Sequence, residues 1–266
     1  MYIYIYIMPS YSATEFASGL KFPAGLAFDN SGNLFCAYHN NDNAIPKISK
    51  ITPDGTVSTF ASVLNSPKGL AFDNSGNLYV ANKDDNTISK ITPEGSVSTF
   101  VSSGLAGPAG LAFDNNGNLY CTNWNGSNIV KITPDGSTVS TFASGLNRPW
   151  GLAFDNNGNL YVSTYSDGTI SKITPDGSTV STFATIYRPQ FLAFDNIGNL
   201  YTGTNDNKLF VISPSRVTQE LTITGVVLDD VEGLAFDNNG NLYAANWGDN
   251  NIIKIALGVS SEILVI

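Results

Sequence analysis

The chain has few of the residues that carry thiol, histidine or cationic chemistry. Its 266 residues include two cysteines, one histidine and 13 lysines and arginines, against 22 acidic residues, for a formal net charge of −9. Nucleic acid and anionic membranes are therefore excluded as expected partners, because both are bound by clustered cations. No apolar run reaches the roughly 18 residues of a membrane helix. Residues 1–7 alternate like a strand and lack a basic region, so no secretory signal is predicted and a cytoplasmic location is slightly favoured.

A segment of about 40 residues is repeated six times along the chain. Its core reads Gly-Leu-Ala-Phe-Asp-Asn, followed by a turn and Asn-Leu-Tyr, with small variations. The central phenylalanines are Phe28, Phe72, Phe113, Phe154, Phe194 and Phe236. Each copy predicts four short strands separated by Gly, Pro, Asn and Asp turns, and no helical periodicity is present. The sequence therefore predicts an all-β, six-bladed propeller of four-stranded antiparallel blades. Residues 1–266 form one domain, with blades that begin near residues 25, 69, 110, 151, 191 and 233.

The two ends of the chain predict how the ring closes. Residues 14–20 match residues 140–146, which form an outermost strand and its exit loop. Residues 1–20 are therefore predicted to be a closing segment that completes the last blade. Residues 2–7 and the tail at 263–266 are further apolar strand candidates, and either could supply an edge for self-association. Cys36 and Cys121 occupy the same position in two different copies, so no disulfide is expected.

The sequence of the repeat resembles the repeats of known propeller families. The motifs are P-x-G-L-A-F-D-x-x-G-N-L-Y-V-A-N and N-x-I-x-K-I-T-P-D-G, over residues 14–256. They are similar to the NHL-repeat and the gluconolactonase/regucalcin-like six-bladed propellers, and also to the virginiamycin B lyase repeat, which occurs in seven-bladed rings. These resemblances imply different activities, which include RNA or protein binding, lactone hydrolysis and antibiotic ring opening. Fold alone does not choose among them.

The positions that differ among the copies predict a ligand site. They lie before the first strand and after the second strand of each blade, and both loops emerge at one mouth of the central channel. All three tryptophans lie there, together with the single histidine. Flat rings with amide and charged neighbours suit a glycan, a small molecule or a peptide, although packing of the loops is the alternative. The predicted site comprises Trp124, Trp150, Tyr165, Trp247, Lys68, Arg148, Arg188, Gln190, Glu232, His39, Asn82, Asn123 and Asn246.

Two of these resemblances imply a catalytic site that would use the same positions. A gluconolactonase-like metal centre has ligands directly before the glycine of the first strand, where only Glu232 matches and Lys68 would compete with a cation. The lyase resemblance implies a histidine at that position paired with a glutamate at the end of the second strand, and no copy has this pair. The repeated aspartates are expected to cap turns. We therefore expect no catalytic residue and no cofactor, with Glu232 as a weak candidate ligand of a divalent cation.

Three functions remain open at this point. The first is a non-catalytic propeller that binds a small molecule, glycan or peptide at the channel mouth. The second is a metal-dependent lactonase or hydrolase of the gluconolactonase-like class. The third is a structural propeller that self-assembles through its terminal strands.

Overall fold

Each sequence copy folds into one small antiparallel sheet, and six such sheets form a ring. The computed structural model describes residues 10–38, 47–62 and 64–257. The predicted six-bladed propeller is confirmed. In every blade the first strand lies innermost, where it contacts the first strands of the neighbouring blades, and in blades 1 to 5 the fourth strand lies outermost. Among the described residues no helix could cross a membrane.

The strands are numbered along the chain. The closing strand is β1 (Ser10–Ala17). Blade 1 contains β2 (Pro23–Phe28), β3 (Leu34–Tyr38), β4 (Lys47–Ile51) and β5 (Val57–Ser62). Blade 2 contains β6 (Pro67–Phe72), β7 (Leu78–Asn82), β8 (Thr87–Ile91) and β9 (Val97–Val101). Blade 3 contains β10 (Pro108–Phe113), β11 (Leu119–Asn123), β12 (Asn128–Ile132) and β13 (Val139–Ser144).

The second half of the ring follows the same pattern. Blade 4 contains β14 (Pro149–Phe154), β15 (Leu160–Thr164), β16 (Thr169–Ile173) and β17 (Val180–Thr185). Blade 5 contains β18 (Pro189–Phe194), β19 (Leu200–Thr204), β20 (Leu209–Ile212) and β21 (Thr218–Glu220). The short strand β22 (Thr222–Thr224) comes next, and blade 6 then contains β23 (Val231–Phe236), β24 (Leu242–Asn246) and β25 (Asn251–Ile255).

The N-terminal strand completes the last blade, as predicted. Strand β1 pairs antiparallel with β25, with Ala13 opposite Ile255 and Glu15 opposite Ile253. Its Phe16 ring meets Tyr243 edge-on at a centroid distance of 4.8 Å. The ring is thus closed by strand pairing between segments from the two ends of the repeat array. Residues 2–7 and 263–266, the other candidate edge strands, lie outside the described residues.

Blade 6 carries a fifth strand that the repeat did not predict. Strand β22 pairs parallel with β1, with Ser10 opposite Thr222 and Ser12 opposite Thr224. It follows β21 after the single residue Leu221, which is buried. The chain therefore passes directly from the outer edge of blade 5 to that of blade 6. This strand covers part of an edge that would otherwise present unpaired backbone groups.

The invariant aromatic positions hold neighbouring blades together. Tyr79 of β7 makes edge-to-face contacts with Phe100 of its own blade, at 4.8 Å, and with Phe113 of the next blade, at 5.0 Å. The Lys90 ammonium lies 5.5 Å from the centre of the same ring. Equivalent contacts recur around the ring. These repeated residues are architectural, because ring pairs of this geometry contribute about 1 kcal/mol beyond their buried area.

The repeated aspartates cap the first turn of each blade, as expected. In blade 2, Asp73 Oδ1 accepts hydrogen bonds from the backbone N–H groups of Ser75 and Asn77, at 2.9 and 2.8 Å. Asn77 Nδ2 donates to Asp73 Oδ2 at 2.8 Å. These bonds lower the pKa of Asp73, although burial opposes them. The carboxylate is thus engaged with its own turn.

Both cysteines are free and fully buried, so the prediction of no disulfide is confirmed. Burial raises the pKa of the Cys36 and Cys121 thiols well above the usual range. Because the thiolate is the reactive form, neither residue is suited to nucleophilic chemistry.

The innermost strands approach each other so closely that a glycine is required. A Cβ atom on Gly110 would lie 2.3 Å from the backbone oxygen of Trp150 in the next blade. Four other blades have the same glycine with the same tight contact. Blade 5 has Phe191 at this position, and its buried ring packs 5.8 Å from that of Trp150. The first strands therefore form a narrow channel that an aromatic side chain partly fills.

The closing strand should be as important to stability as a strand within a blade. Phe16→Ala removes an edge contact with Tyr243, and Phe100→Ala removes the equivalent contact with Tyr79 in blade 2. Both rings are partly buried, so each change should lower the free energy of unfolding by about 2 kcal/mol. Urea denaturation measures both. If only Phe100→Ala were destabilising, β1 would not be an integral strand of blade 6.

Candidate functional site

The loops that vary among the copies meet at one mouth of the channel, where they enclose a cavity of about 230 Å³. The structure brings together seven of the predicted site residues here. The lining residues are Lys68, Lys83, Trp124, Trp150, Tyr165, Gln190, Asn205, Asp230, Glu232 and Trp247. Three of them, Lys83, Asn205 and Asp230, were not among the predicted site residues. They occupy the same variable positions of the repeat, which is the signal that could have found them.

The floor of the cavity is formed by the residue before the innermost glycine position in four of the six blades, namely Lys68, Trp150, Gln190 and Glu232. Because the first strands are so close, side chains from separate blades can meet there. Lys68 Nζ from blade 2 lies 3.1 Å from Glu232 Oε1 of blade 6, and both side chains are 7% exposed. Ala24 of blade 1, between them in the ring, is small and buried. The two buried charges thus neutralise each other.

This ion pair bears on the metal hypothesis. The Glu232 carboxylate, the weak metal candidate, already contacts a resident ammonium. No group of three His, Cys, Asp or Glu side chains suited to a metal ion occurs in residues 10–38, 47–62 and 64–257. The residues present therefore do not fit a gluconolactonase-like cation centre, and no step below is routed through one.

The rim of the mouth is built from residues in the left-handed backbone region. Two positions before each floor residue, φ is positive in all six blades, for example 53° at Arg148, 44° at Arg188 and 51° at Asp230. In blades 2, 3, 4 and 6 the carbonyl of this residue accepts a hydrogen bond from the backbone N–H of the residue after the second strand, as from Trp247 N to Asp230 O at 3.1 Å. Sequence reasoning missed this feature because phenylalanine, serine and arginine, which occupy four of the six positions, seldom adopt a positive φ. Since the conformation occurs in all six blades, it belongs to the scaffold.

One wall of the cavity is a cluster of cations and of aromatic rings that meet edge-on or tilted. Trp124 meets Trp150 at 4.9 Å and Tyr165 at 5.4 Å between ring centroids. Lys83 Nζ lies 5.0 Å from the Trp124 ring and 5.2 Å from the Trp150 ring. Arg148 lies over Trp124 at 5.3 Å. This wall presents both apolar surface and positive charge to the cavity.

The remaining tryptophan is separate from that wall. Trp247 packs against Phe22 of blade 1, with ring centroids 4.6 Å apart. All three tryptophans of the chain thus line the cavity, as the sequence predicted, but in two groups. The intrinsic fluorescence of the protein therefore reports on this site.

Asp230 is the most perturbed carboxylate of the cavity. Gln190 Nε2 donates to its Oδ1 at 3.3 Å, and Asn205 Nδ2 donates to its Oδ2 at 3.0 Å. Arg188 Nη1 donates in turn to Asn205 Oδ1 at 3.1 Å, which fixes the orientation of that amide. Burial and the nearby charge of Glu232 raise the pKa of Asp230 to about 6, although the two amide bonds oppose the shift. A carboxyl group with this pKa can exchange a proton near neutral pH.

The pKa of Lys83 is shifted in the opposite direction, downward. Burial lowers the pKa of its ammonium group, and the positive charges of Lys68 and Arg148 add to the effect. Asp84 and Glu232 partly oppose it. Two titratable groups with opposite shifts in one cavity are typical of functional sites, since structural positions rarely require them.

Three predicted asparagines lie behind the cavity and organise its loops. Asn82 Nδ2 donates to Ser89 Oγ at 2.8 Å, and Asn123 Oδ1 accepts from the backbone of Ala106 at 3.1 Å. Asn246 Oδ1 accepts from the backbone of Asp229 at 2.6 Å. Their part in ligand binding stays a prediction.

Three further predicted residues do not line the cavity. Arg148 and Arg188 lie exposed at the rim, over Trp124 and Tyr165. His39 lies outside the described residues.

Comparison with known proteins gives the family. The model of the virginiamycin B lyase family matches residues 8–212, which is more than half of the chain. The chain belongs to the virginiamycin B lyase family. The matched part contains blades 1 to 4, β1 and most of blade 5, so blade 6 with Asp230 and Glu232 lies beyond it. No curated protein matches the chain.

Solved structures share the fold at low sequence identity. One is a catalytically inactive histidine-to-alanine variant of virginiamycin B lyase from Staphylococcus aureus with quinupristin, at 20% identity and a TM-score of 0.70, covering 94% of this chain and 87% of that one. A gluconolactonase from Xanthomonas campestris has 18% identity and a TM-score of 0.79, covering 91% and 88%. A nidogen/laminin complex has 21% identity and a TM-score of 0.71, covering 78% and 85%.

These similarities extend over enzymes and a protein complex, so they establish the propeller and leave the activity to the site. The virginiamycin B lyase family and gluconolactonase-like propellers are supported, whereas the NHL-repeat resemblance stays a prediction. The one histidine of this chain, His39, lies outside the described residues. The described cavity must therefore be judged on its carboxylates, cations and rings.

The raised pKa of Asp230 predicts a pH-dependent cost to stability. The native state holds this proton up to about pH 6, whereas the unfolded chain releases it near the ordinary value of 3.8. Stability from this group therefore falls as pH rises between the two values, and the full cost remains above them. Asp230→Asn should be more stable than the wild type at about pH 8, and this gain should shrink below about pH 4.

Urea denaturation of both proteins at the two pH values measures the gain. The exposed Asp167→Asn is the matched control and should show no such pH-dependent gain. A gain for Asp230→Asn that was equal at both pH values would contradict the raised pKa.

Proposed function

We propose that the channel mouth is an active site that opens cyclic esters, either lactones or depsipeptides. Membership of the virginiamycin B lyase family supports enzymatic ring opening, as does the likeness in fold to a gluconolactonase. The observation that carries the proposal is Asp230, a half-buried carboxylate with a pKa of about 6 in an aromatic cavity. It is held in place by two amides and is ionised at neutral pH.

Asp230 serves as the general base. In an elimination it takes the proton from the carbon next to the one that bears the ester oxygen, a carbon–carbon double bond forms, and the carbon–oxygen bond breaks to release a carboxylate. In a hydrolysis it takes a proton from water, which attacks the ester carbonyl, and it then gives this proton to the ring oxygen, which leaves as an alcohol. Family membership favours elimination. Each of its carboxylate oxygens accepts one amide hydrogen bond and keeps acceptor capacity for the transferred proton.

The other residues of the cavity bind and position the ring. Trp124, Trp150 and Tyr165 offer flat surfaces for an apolar ring face, and Trp247 lies in the second group. The Lys68–Glu232 pair is an internally neutral floor, so Glu232 is not free to act as a second base. Gln190 and Asn205 orient Asp230 and are positioning residues.

A second candidate function is binding without catalysis. The aromatic cavity suits a small molecule, glycan or peptide, and none of the six copies has the histidine–glutamate pair that the lyase resemblance implies. Self-assembly through the terminal segments, residues 2–7 and 263–266, is a further proposal. Binding alone requires no carboxylate that titrates near neutral pH, so we rank it second.

Incubation with quinupristin and with gluconolactone tests the proposal. The wild type should open at least one of the two rings, with a rate that rises to a plateau above about pH 6 as Asp230 ionises. Asp230→Asn should lower kcat by about 100-fold or more. Mass spectrometry separates the routes, because hydrolysis adds one water and elimination leaves the mass unchanged.

The control is Asp167→Asn, an exposed carboxylate outside the lining residues, which should keep full activity. Binding of either compound by the wild type, seen as a change in tryptophan fluorescence, with no opening of any ring would favour the second function. Equal rates for Asp230→Asn and the wild type would remove Asp230 from the chemistry.

A further inference from the structure

Two neighbouring hydrogen-bond donors at the cavity have no acceptor among residues 10–38, 47–62 and 64–257. Trp150 is 6% exposed, and its indole Nε1 has no hydrogen-bond partner among these residues. Lys83 Nζ lies 5.2 Å from the centre of the Trp150 ring and, in the part of the chain that the structure describes, forms no salt bridge. A buried donor left unpaired costs about 1–3 kcal/mol, so such groups call for an explanation.

The other charges that line the cavity have partners. Lys68 and Glu232 form an ion pair at 3.1 Å. Asp230 accepts from Gln190 and Asn205. Among the described lining residues, Lys83 is thus the one charged group that forms neither a salt bridge nor a hydrogen bond, although the negative charges of Asp84 and Glu232 act on it from farther away. The protein as a whole has a net charge of −9. Its contacts are with the rings of Trp124 and Trp150, which supply no acceptor oxygen.

We propose that the Lys83–Trp150 corner is a carboxylate subsite, which holds a carboxylate attached to a flat apolar group. The Lys83 ammonium supplies hydrogen bonds to the anion, and the Trp124 and Trp150 rings contact the apolar part. Charge-assisted bonds of this kind are about twice as strong as neutral ones. The exposed guanidinium of Arg148 over Trp124 adds positive charge at the entrance.

This subsite deepens the proposed function and in that sense rests on it. Both routes of ester opening release a carboxylate from a neutral ester, so the corner would hold the newly formed carboxylate of the product. The binding claim is nevertheless separable from catalysis. A small aromatic carboxylate should occupy the corner even if the protein opens no ring.

Titration with benzoate, followed by tryptophan fluorescence, tests the subsite, and neutral benzamide is the matched probe. The wild type should bind benzoate at least about tenfold more tightly than benzamide. Lys83→Met should remove this preference while leaving benzamide binding unchanged. Lys21→Met, at an exposed lysine outside the cavity, should behave as the wild type.

The outcomes separate the two proposals. Equal affinity for benzoate and benzamide, or an undiminished preference in a folded Lys83→Met protein, would overturn the subsite. Circular dichroism and urea denaturation establish that each variant is folded. Benzoate binding with the expected Lys83 dependence, but no ring opening, would support the subsite and refute the catalytic function. Ring opening that is sensitive to Asp230→Asn but without any benzoate preference would do the reverse.

Discussion

The close backbone contact between the innermost strands determines the rest of the structure. A Cβ atom on Gly233 would lie 2.0 Å from the oxygen of Ala24 in the next blade, and the equivalent distance at Gly69 is 2.2 Å. Because glycine permits this approach, the channel is narrow. Residues that are about 164 positions apart in sequence, Lys68 and Glu232, can then form a buried ion pair across its mouth. The site therefore depends on the scaffold glycines as well as on its own side chains.

Blade 5 departs from this rule in two linked ways. Phe191 replaces the innermost glycine, and Gly203 appears in the second strand, where a Cβ atom would lie 2.2 Å from the oxygen of Val231. In blade 5 the glycine that allows close contact with the next blade is therefore in the second strand instead of the first. The Phe191 ring then joins Trp150 in the apolar cluster beneath the cavity. Blade 5 is also the blade whose chain continues into β22, the strand that pairs with the closing strand β1. Blade 5 thus departs from the repeat both at the channel and at the closure.

Much of the fold could be predicted from sequence because the same blade sequence is repeated six times. The spacing of the phenylalanines predicted the number of blades, and the match of residues 14–20 to a fourth strand predicted how the ring closes. Strand β22 was missed because Thr222–Thr224 has no counterpart in the other copies. The positions of the mouth could be predicted for the same reason as the blades. Which of them have shifted pKa values could not be predicted, because the shifts of Asp230 and Lys83 arise mainly from burial and from charges that the fold brings close, such as Glu232 beside Asp230.

The groups with shifted pKa values or unpaired donors at the mouth lower the stability of the fold, and the rest of the scaffold is stable enough to tolerate them. The fold holds Asp230 in a left-handed backbone conformation, partly buried and close to a second carboxylate. In the part of the chain that the structure describes, it also leaves the Trp150 indole without an acceptor and Lys83 without a salt bridge. The repeated turn aspartates, by contrast, are paired within their own turns, as at Asp73. Since six copies of an aromatic and hydrogen-bonded framework supply stability, unsatisfied groups are tolerated where a ligand would satisfy them.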